Sequence, residues 1–234
     1  MHTFFCPDIS QGRSELDAGE SAHAARVLRL KEGDTIVLLD GMGFVAEAVL
    51  SSVSPGRCEF SIRETKSYKP RAYRLHAVIA PAKMNDRTEW FLEKGVELGL
   101  ETVTPVICDR SERRVVNHDR FLKVMKAAVK QSLQPFMPVL HEAVSFRDFI
   151  RQSPSGYIAH CAAGSRTEFS QCTPPQGMVT VLIGPEGDFT PDEIQTAVQA
   201  GWEPISLGHS RLRTETAGIY AASVVRMMNE RLPL

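Results

Sequence analysis

Two short runs hold the residues best suited to chemistry. Val181-Leu182-Ile183 is followed by Gly184-Pro185-Glu186-Gly187, and Leu207-Gly208 leads into Leu212-Arg213-Thr214-Glu215-Thr216-Ala217. Each reads as a strand ending in a glycine turn that feeds a helix. At the carboxyl edge of an open α/β sheet, backbone N–H groups and helix N-termini converge, and ligands bind there. Two such turns in one sheet suggest one pocket. The first is not a phosphate P-loop, because no Gly-Lys-Ser/Thr follows, and it lacks the three-glycine dinucleotide spacing. Its glycines let backbone approach a flat ligand closely, with Glu186 as a carboxylate at the strand end. A tight turn with a surface glutamate accounts for the same residues equally well. In the second run Arg213 either faces an anionic substrate group or pairs with Glu215. No Ser-His-Asp order, metal cluster or paired-carboxylate arrangement stands out in the sequence.

The surrounding pattern supplies elements to carry these turns. Strands at Arg74 to Ala80 and Thr102 to Ile107 flank a helix from Arg87 to Leu98, stopped by Gly99. A helix over Asp119 to Ser132, a short helix after Ser145 and a strand at Tyr157 to His160 continue the alternation. Met178 to Ile183 reads as a buried strand. Thr190-Pro191-Asp192-Glu193 forms a capping box, with proline at the first helical position. A strand at Pro204 to Leu207 and a last helix from about Thr216 to Arg231 complete a largely parallel sheet covered by helices. That helix is apolar on much of its surface, which a dimer interface would explain.

Residues 1 to about 66 read instead as a small β-rich unit. Its strands are Thr35 to Leu39, Phe44 to Val49 and Cys58 to Arg63, with a hairpin turn at Asp40-Gly41-Met42-Gly43. A helix is expected from Ser21, as cap, to Leu30, with Ala24, Val27 and Leu28 facing inward. His23, Arg26 and Arg29 recur at three-residue steps, a stripe that serves either as a wet helix face or as a contact for a phosphate backbone. Ser67-Tyr68-Lys69-Pro70-Arg71 breaks the pattern and marks the domain boundary.

Composition bounds what such a chain does. At 234 residues, 43% hydrophobic and 24% charged, it suits one large or two modest domains. No apolar run approaches bilayer length, and the N-terminus shows no secretion signal, so the cytoplasm is expected. Five scattered cysteines suit reduced thiols better than disulfides or a metal site. The net charge of −1 is unevenly spread: −4 over residues 1–65, +6 over 66–130 and −3 over 131–234. The basic middle third can attract phosphates.

Taken together, these residues are recognisable. The sequence resembles the SPOUT-class RNA methyltransferases, and within them the family that methylates N3 of a uridine in 16S ribosomal RNA. The resemblance rests on Arg26-Val27-Leu28-Arg29, Gly33-Asp34 and Asp40-Gly41 near the N-terminus. It continues through Lys83, Glu89, Lys94, Glu97-Leu98-Gly99, Pro105, Arg110-Ser111 and Gln131-Ser132. It is strongest at Ile183-Gly184-Pro185-Glu186-Gly187, Leu207-Gly208 and Leu212-Arg213-Thr214-Glu215-Thr216. The sequence departs from the family pattern at Asp188, where a glycine is common, at Ser210 and Arg211, and at Lys130 and Gln134.

The resemblance implies a PUA-like β-barrel over residues 1–70 that holds RNA. It further implies a SPOUT α/β domain over 71–234 with a deep trefoil knot, which no argument from periodicity would yield. S-adenosylmethionine is the implied cofactor, with small-subunit 16S ribosomal RNA and a second copy of the chain as partners, and neither membrane nor metal. Its pocket would use His160, Ile183, Gly184, Pro185, Glu186, Gly187, Leu207, Gly208, Arg211, Leu212 and Arg213. RNA would meet Arg13, His23, Arg26 and Arg29 in the first domain, and Lys83, Arg87, Arg110 and Arg113 in the second. The target uridine would be uracil 1498. Arg213 would stabilise negative charge developing on the uracil and Glu215 would orient that arginine. A non-catalytic ribosome-assembly factor, or an enzyme with another target base, is the alternative.

Overall fold

Strands buried on both faces need unbroken apolar runs, and Val181, Leu182 and Ile183 form one, all buried. The computed structural model describes residues 1–153 and 155–230 of this chain. They form two units, one of residues 1–70 with 126–137 and the other of 71–125 with 138 onward.

The first unit contains β1 (His2–Phe5), α1 (Ala18–Ala22), β2 (Thr35–Leu39), β3 (Phe44–Val53) and β4 (Cys58–Ser67). They form a four-stranded sheet in that strand order, with β1 parallel to β2 and the other pairs antiparallel. Alternate side chains, including Ile36, Leu38, Ala46, Ala48 and Leu50, pack with Phe4, Ile9, Leu16 and Phe60 as the core. The turn between β2 and β3 is held by Asp40, whose Oδ1 accepts the N–H of Met42 (2.7 Å) and of Phe44 (2.9 Å). Residues 135–137 pair with this turn: Gly43 N–H donates to Pro135 O (2.9 Å) and Met137 N–H to Gly41 O (2.8 Å). Lys130 Nζ reaches both oxygens of the buried Glu20, at 2.9 and 3.1 Å.

The helix expected over Ser21 to Leu30 starts earlier and ends sooner. Asp17 is its cap, with Oδ1 accepting Glu20 N–H at 2.7 Å. Ser21 is buried instead, its hydroxyl donating to Leu16 O (3.3 Å) and accepting from Cys58 N–H (3.0 Å). After Ala22 the chain widens into a π-helical turn, His23–Val27. Val27 is 66% exposed rather than inward-facing. Arg29 lies past the helical turns at φ +55°, so His23, Arg26 and Arg29 do not form one helical stripe.

The second unit contains β5 (Tyr73–Ile79), α2 (Asn85–Leu98), β6 (Leu100–Ile107), the start of α3 (His118–Ser132), whose residues from Lys126 belong to the first unit, β7 (Val139–Leu140), β8 (Val144–Ser145) and α4 (Phe146–Gln152). It continues with β9 (Gly156–Ala159), β10 (Thr167–Glu168), β11 (Gly177–Ile183), α5 (Pro191–Gln199), β12 (Trp202–Ser206) and α6 (Thr214–Glu230). The strands form a parallel sheet in the order β10-β12-β9-β11-β5-β6-β7, with β8 also paired to β6. The chain therefore winds outward from β5 in one direction, then returns to build the other half, with β9 between β11 and β12. This is an α/β fold with a small β domain at its N-terminus.

Local signals set several boundaries. The capping box of α5 is complete: Thr190 Oγ1 accepts Glu193 N–H at 3.2 Å and Glu193 Oε2 accepts Thr190 N–H at 2.8 Å. The strand expected at Pro204 to Leu207 is displaced towards Trp202, which is buried and donates through Nε1 to Ser153 O (3.0 Å). Helix α6 begins at Thr214, and its expected end at Arg231 lies outside the described residues. Helix α6 packs on α2 and β5. Ala217, Ala221, Ala222, Val224 and Val225 are buried within the chain, so much of its apolar excess is covered by its own domain.

Candidate functional site

Because β12, β9 and β11 are adjacent and parallel, their carboxyl ends open at one edge of the sheet. His160 follows β9, Gly184 follows β11 and Leu207-Gly208 follow β12. Between them lies a cavity of about 600 Å³, of the size that holds a small-molecule cofactor. His160, Ile183, Gly184, Pro185, Glu186, Gly187, Leu207, Gly208, Arg211, Leu212 and Arg213 all line it. The two glycine turns are joined directly, since Thr214 Oγ1 at the start of α6 donates to Gly184 O at 3.0 Å. Gly208 has φ +105° and open space where a side chain would project, so bare backbone faces the cavity there.

The polar groups divide into anchors and unpartnered sites. Glu186 Oε1 accepts Lys83 N–H at 2.9 Å, which ties the first glycine turn to the loop after β5. Arg110 Nη1 donates to Gly187 O at 2.8 Å. The capping glutamate Glu193 steadies the chain beside Arg110 by accepting Asp109 N–H at 2.9 Å. His160 is 8% exposed, and neither ring nitrogen has a hydrogen-bond partner among the described residues. Burial pushes its pKa down, with Asp188 opposing and the Arg166 cation adding, so a neutral imidazole faces the cavity. Arg211 and Arg213 are exposed on the rim.

The model of the RNA methyltransferase PUA domain matches residues 16–63, and that of the RNA methyltransferase domain matches residues 69–226. The chain belongs to the RNA methyltransferase family. It is 27% identical over 229 residues to the ribosomal RNA small subunit methyltransferase E of Bacillus subtilis (strain 168), covering 91% of this chain and 89% of that protein. Its structure is similar to a "probable rRNA-methyltransferase" from Porphyromonas gingivalis, with TM-score 0.88, 36% identity and coverage of 98% and 99% of the two chains. It is also similar to the ribosomal RNA small subunit methyltransferase E of Neisseria gonorrhoeae bound to S-adenosyl methionine, with TM-score 0.84, 26% identity and coverage of 97% and 98%.

In this RNA methyltransferase Glu215 does not orient Arg213. Its carboxylate meets Arg87 of α2, Oε1 to Nη1 at 3.4 Å, while Oε2 is buried without a hydrogen-bond partner among the described residues. Glu215 in the first turn of α6 faces α2, whereas Arg213 precedes that helix. Arg213 makes no ion pair among the described residues.

The basic residues of the middle segment are also partly engaged. Lys83 Nζ pairs with Glu112 at 2.7 Å, and Arg113 donates to Lys83 O through Nε (3.1 Å) and Nη2 (2.8 Å). Arg110 lines the cavity rather than standing apart from it. In the first unit Arg13 is held by Asp8 (3.3 Å) and by Glu15 O (2.8 Å).

Cys161, Arg166, Asp188 and Thr214 also line the cavity. The positions of Cys161 and Asp188 follow from adjacency to His160 and Gly187. Arg166 lies in the loop after His160, and its guanidinium donates to His160 O from six residues away. Among the described residues no cluster of three or more His, Cys, Asp and Glu side chains could hold a metal ion, and no helix is long and apolar enough to cross a membrane.

Proposed function

We propose that the protein uses S-adenosylmethionine to methylate N3 of one uridine, uracil 1498, in the 16S ribosomal RNA of the small subunit. The observation that carries this reading is the single cavity built from the turns after β9, β11 and β12, together with the named activity of the relatives. The lining suits this cofactor, a flat base joined to a zwitterion with an additional cationic sulfur. Open backbone at Gly208 accommodates a flat ring, the two unpartnered nitrogens of His160 await hydrogen-bonding groups, and arginines stand beside Glu186 and Asp188.

The bound cofactor supplies an already activated methyl group. What remains for the protein is alignment and charge control. In this reading the cavity loops hold the donor, and residues 71–234 form the catalytic domain. Residues 1–70, with Arg13, His23, Arg26 and Arg29, hold RNA as a PUA-like domain, joined by Lys83, Arg87, Arg110 and Arg113. Exposed and without an ion pair among the described residues, Arg213 is suited to meet the uracil as N3 loses its proton and negative charge spreads to the carbonyl oxygens. The trefoil-knotted path, the homodimer and a cytoplasmic location belong to the same proposal, and the insertion of β9 between β11 and β12 suits a chain that threads back through its own loops.

The test is incubation with labelled S-adenosylmethionine and small ribosomal subunits lacking the modification, followed by digestion and mass spectrometry of the nucleosides. Labelled 3-methyluridine at one site is expected. Another methylated nucleoside would overturn the target, and no label despite cofactor binding would favour an assembly factor that binds without turnover.

A further inference from the structure

Asp188 occupies a backbone conformation that most side chains avoid. Its φ is +60°, and its N–H donates to Pro185 O at 2.9 Å, closing the turn of residues 185–188. Aspartate tolerates that region better than most residues, but a glycine would enter it without strain. The side chain is what a glycine lacks. Oδ1 accepts Phe189 N–H at 2.8 Å, and Oδ2 accepts the N–H of Cys161 at 2.8 Å, 27 residues earlier in the chain.

That second bond crosses between two of the three loops that build the cavity. The loop after β9 is thus held on both sides of one peptide unit: Arg166 grips the carbonyl of His160, and Asp188 grips the amide of Cys161. With the main chain fixed in this way, the His160 imidazole faces the cavity and keeps both nitrogens free of protein partners. The bond is charge-assisted and therefore stronger than one between neutral groups.

We infer that Asp188 is a positioning residue, a latch that fastens the loop after β9 to the turn after β11 and thereby preforms the cofactor cavity around His160. The inference rests on the proposed cofactor reading of this cavity. Asp188 acts through the Cys161 amide, and its carboxylate oxygens are both committed to backbone.

Three variants of the full chain test it: Asp188→Gly, Asp188→Ala and Asp188→Asn. S-adenosylhomocysteine binding is measured by calorimetry, and backbone hydrogen exchange over residues 160–166 by mass spectrometry. Glycine relieves the turn and alanine does not, so their thermal stabilities should differ, with glycine the higher. Both lose the latch, so both should bind S-adenosylhomocysteine on the order of tenfold more weakly and exchange faster over 160–166. Asparagine keeps one acceptor oxygen and should restore part of each. In turnover the KM for the methyl donor should rise more than kcat falls. Binding that follows stability, with glycine rescuing affinity or asparagine no better than alanine, would overturn the latch. If the unaltered protein binds no S-adenosylhomocysteine, the cofactor reading fails, and unchanged exchange over 160–166 in all three variants would separately overturn the latch.

Discussion

Glu215 and Arg87 join the first turns of α6 and α2, with 3.4 Å between Oε1 and Nη1, while the second carboxylate oxygen is buried with no hydrogen-bond partner among the described residues. A carboxylate 8% exposed depends on that one cation and on its place near a helix N-terminus. Arg87→Ala should therefore cost about 1–3 kcal/mol of stability, because it leaves the charge buried and uncompensated. Glu215→Gln should cost less, since no net charge is stranded inside. Urea unfolding midpoints at neutral pH check both, and an Arg87→Ala variant as stable as the parent would contradict the pairing's structural weight.

Arg213 stands just before that turn, exposed and without an ion pair among the described residues. If it stabilises charge on the uracil, Arg213→Ala should lower kcat by about 100-fold while unfolding stays within about 0.5 kcal/mol of the parent. Single-turnover methylation measured beside thermal unfolding separates the two effects. Full activity in this variant removes Arg213 from the chemistry.

The cysteines offer a direct readout of cavity occupancy. Cys161 is exposed and lines the cavity, whereas Cys6, Cys58 and Cys108 are buried. Burial raises the Cys6 thiol to about 11 and pushes Cys108 up as well, so neither should react at neutral pH. Alkylation followed by peptide mass spectrometry should modify Cys161 first. Saturating S-adenosylhomocysteine should slow that reaction several-fold and leave the half-buried Cys172 unaffected.

Gly218 is where α6 presses against α2. An added Cβ would overlap the edge of the Phe91 ring and come within 3.1 Å of Ile79 Cδ1. In an exposed helix, glycine to alanine would stabilise by about 1 kcal/mol. Here overpacking should win, so Gly218→Ala should be destabilising by about 1–2 kcal/mol net in chemical unfolding.

Acid should weaken the second unit through His76. Its Nε2 lies 2.8 Å from Thr104 Oγ1, and burial, with His141 nearby, lowers its pKa from the ordinary 6.5 to about 4. Between those values the unfolded chain takes up a proton that the folded one refuses. Stability therefore falls as pH drops from 6.5 towards 4, is unaffected above that window and loses nothing further from this group below it. The loss should be about 2 kcal/mol once partial solvent access is allowed for. His76→Gln should flatten this limb of a urea-midpoint series taken from about pH 7 down to about pH 4.5.

Features governed by neighbours in the chain were legible in the sequence itself. The apolar run before Gly184, the capping box at Thr190 and Glu193, the stop at Gly99 and the short helix after Ser145 all express short-range chemistry. The alternation of strands and helices likewise announced a parallel sheet, and the glycine turns pointed to the sheet edge at which the cavity opens. Two readings failed where a local signal had a competitor. Ser21 resembles a cap, but Asp17 takes that role and Ser21 is drawn into the core by Cys58. Arg213 and Glu215 are close in sequence, but Arg213 precedes α6 while Glu215 in its first turn pairs with Arg87 of α2.

What the sequence alone determined is therefore the set of elements and the types of group at their ends, because propensity, capping and apolar periodicity act over a few residues. The tertiary structure alone decided which of those ends meet. The order β12-β9-β11, the pairing of Arg87 with Glu215, the bond from Asp188 to Cys161 and the joining of residues 126–137 to the first unit all link distant positions. Such contacts arise from packing the whole chain at once, and no local pattern encodes them.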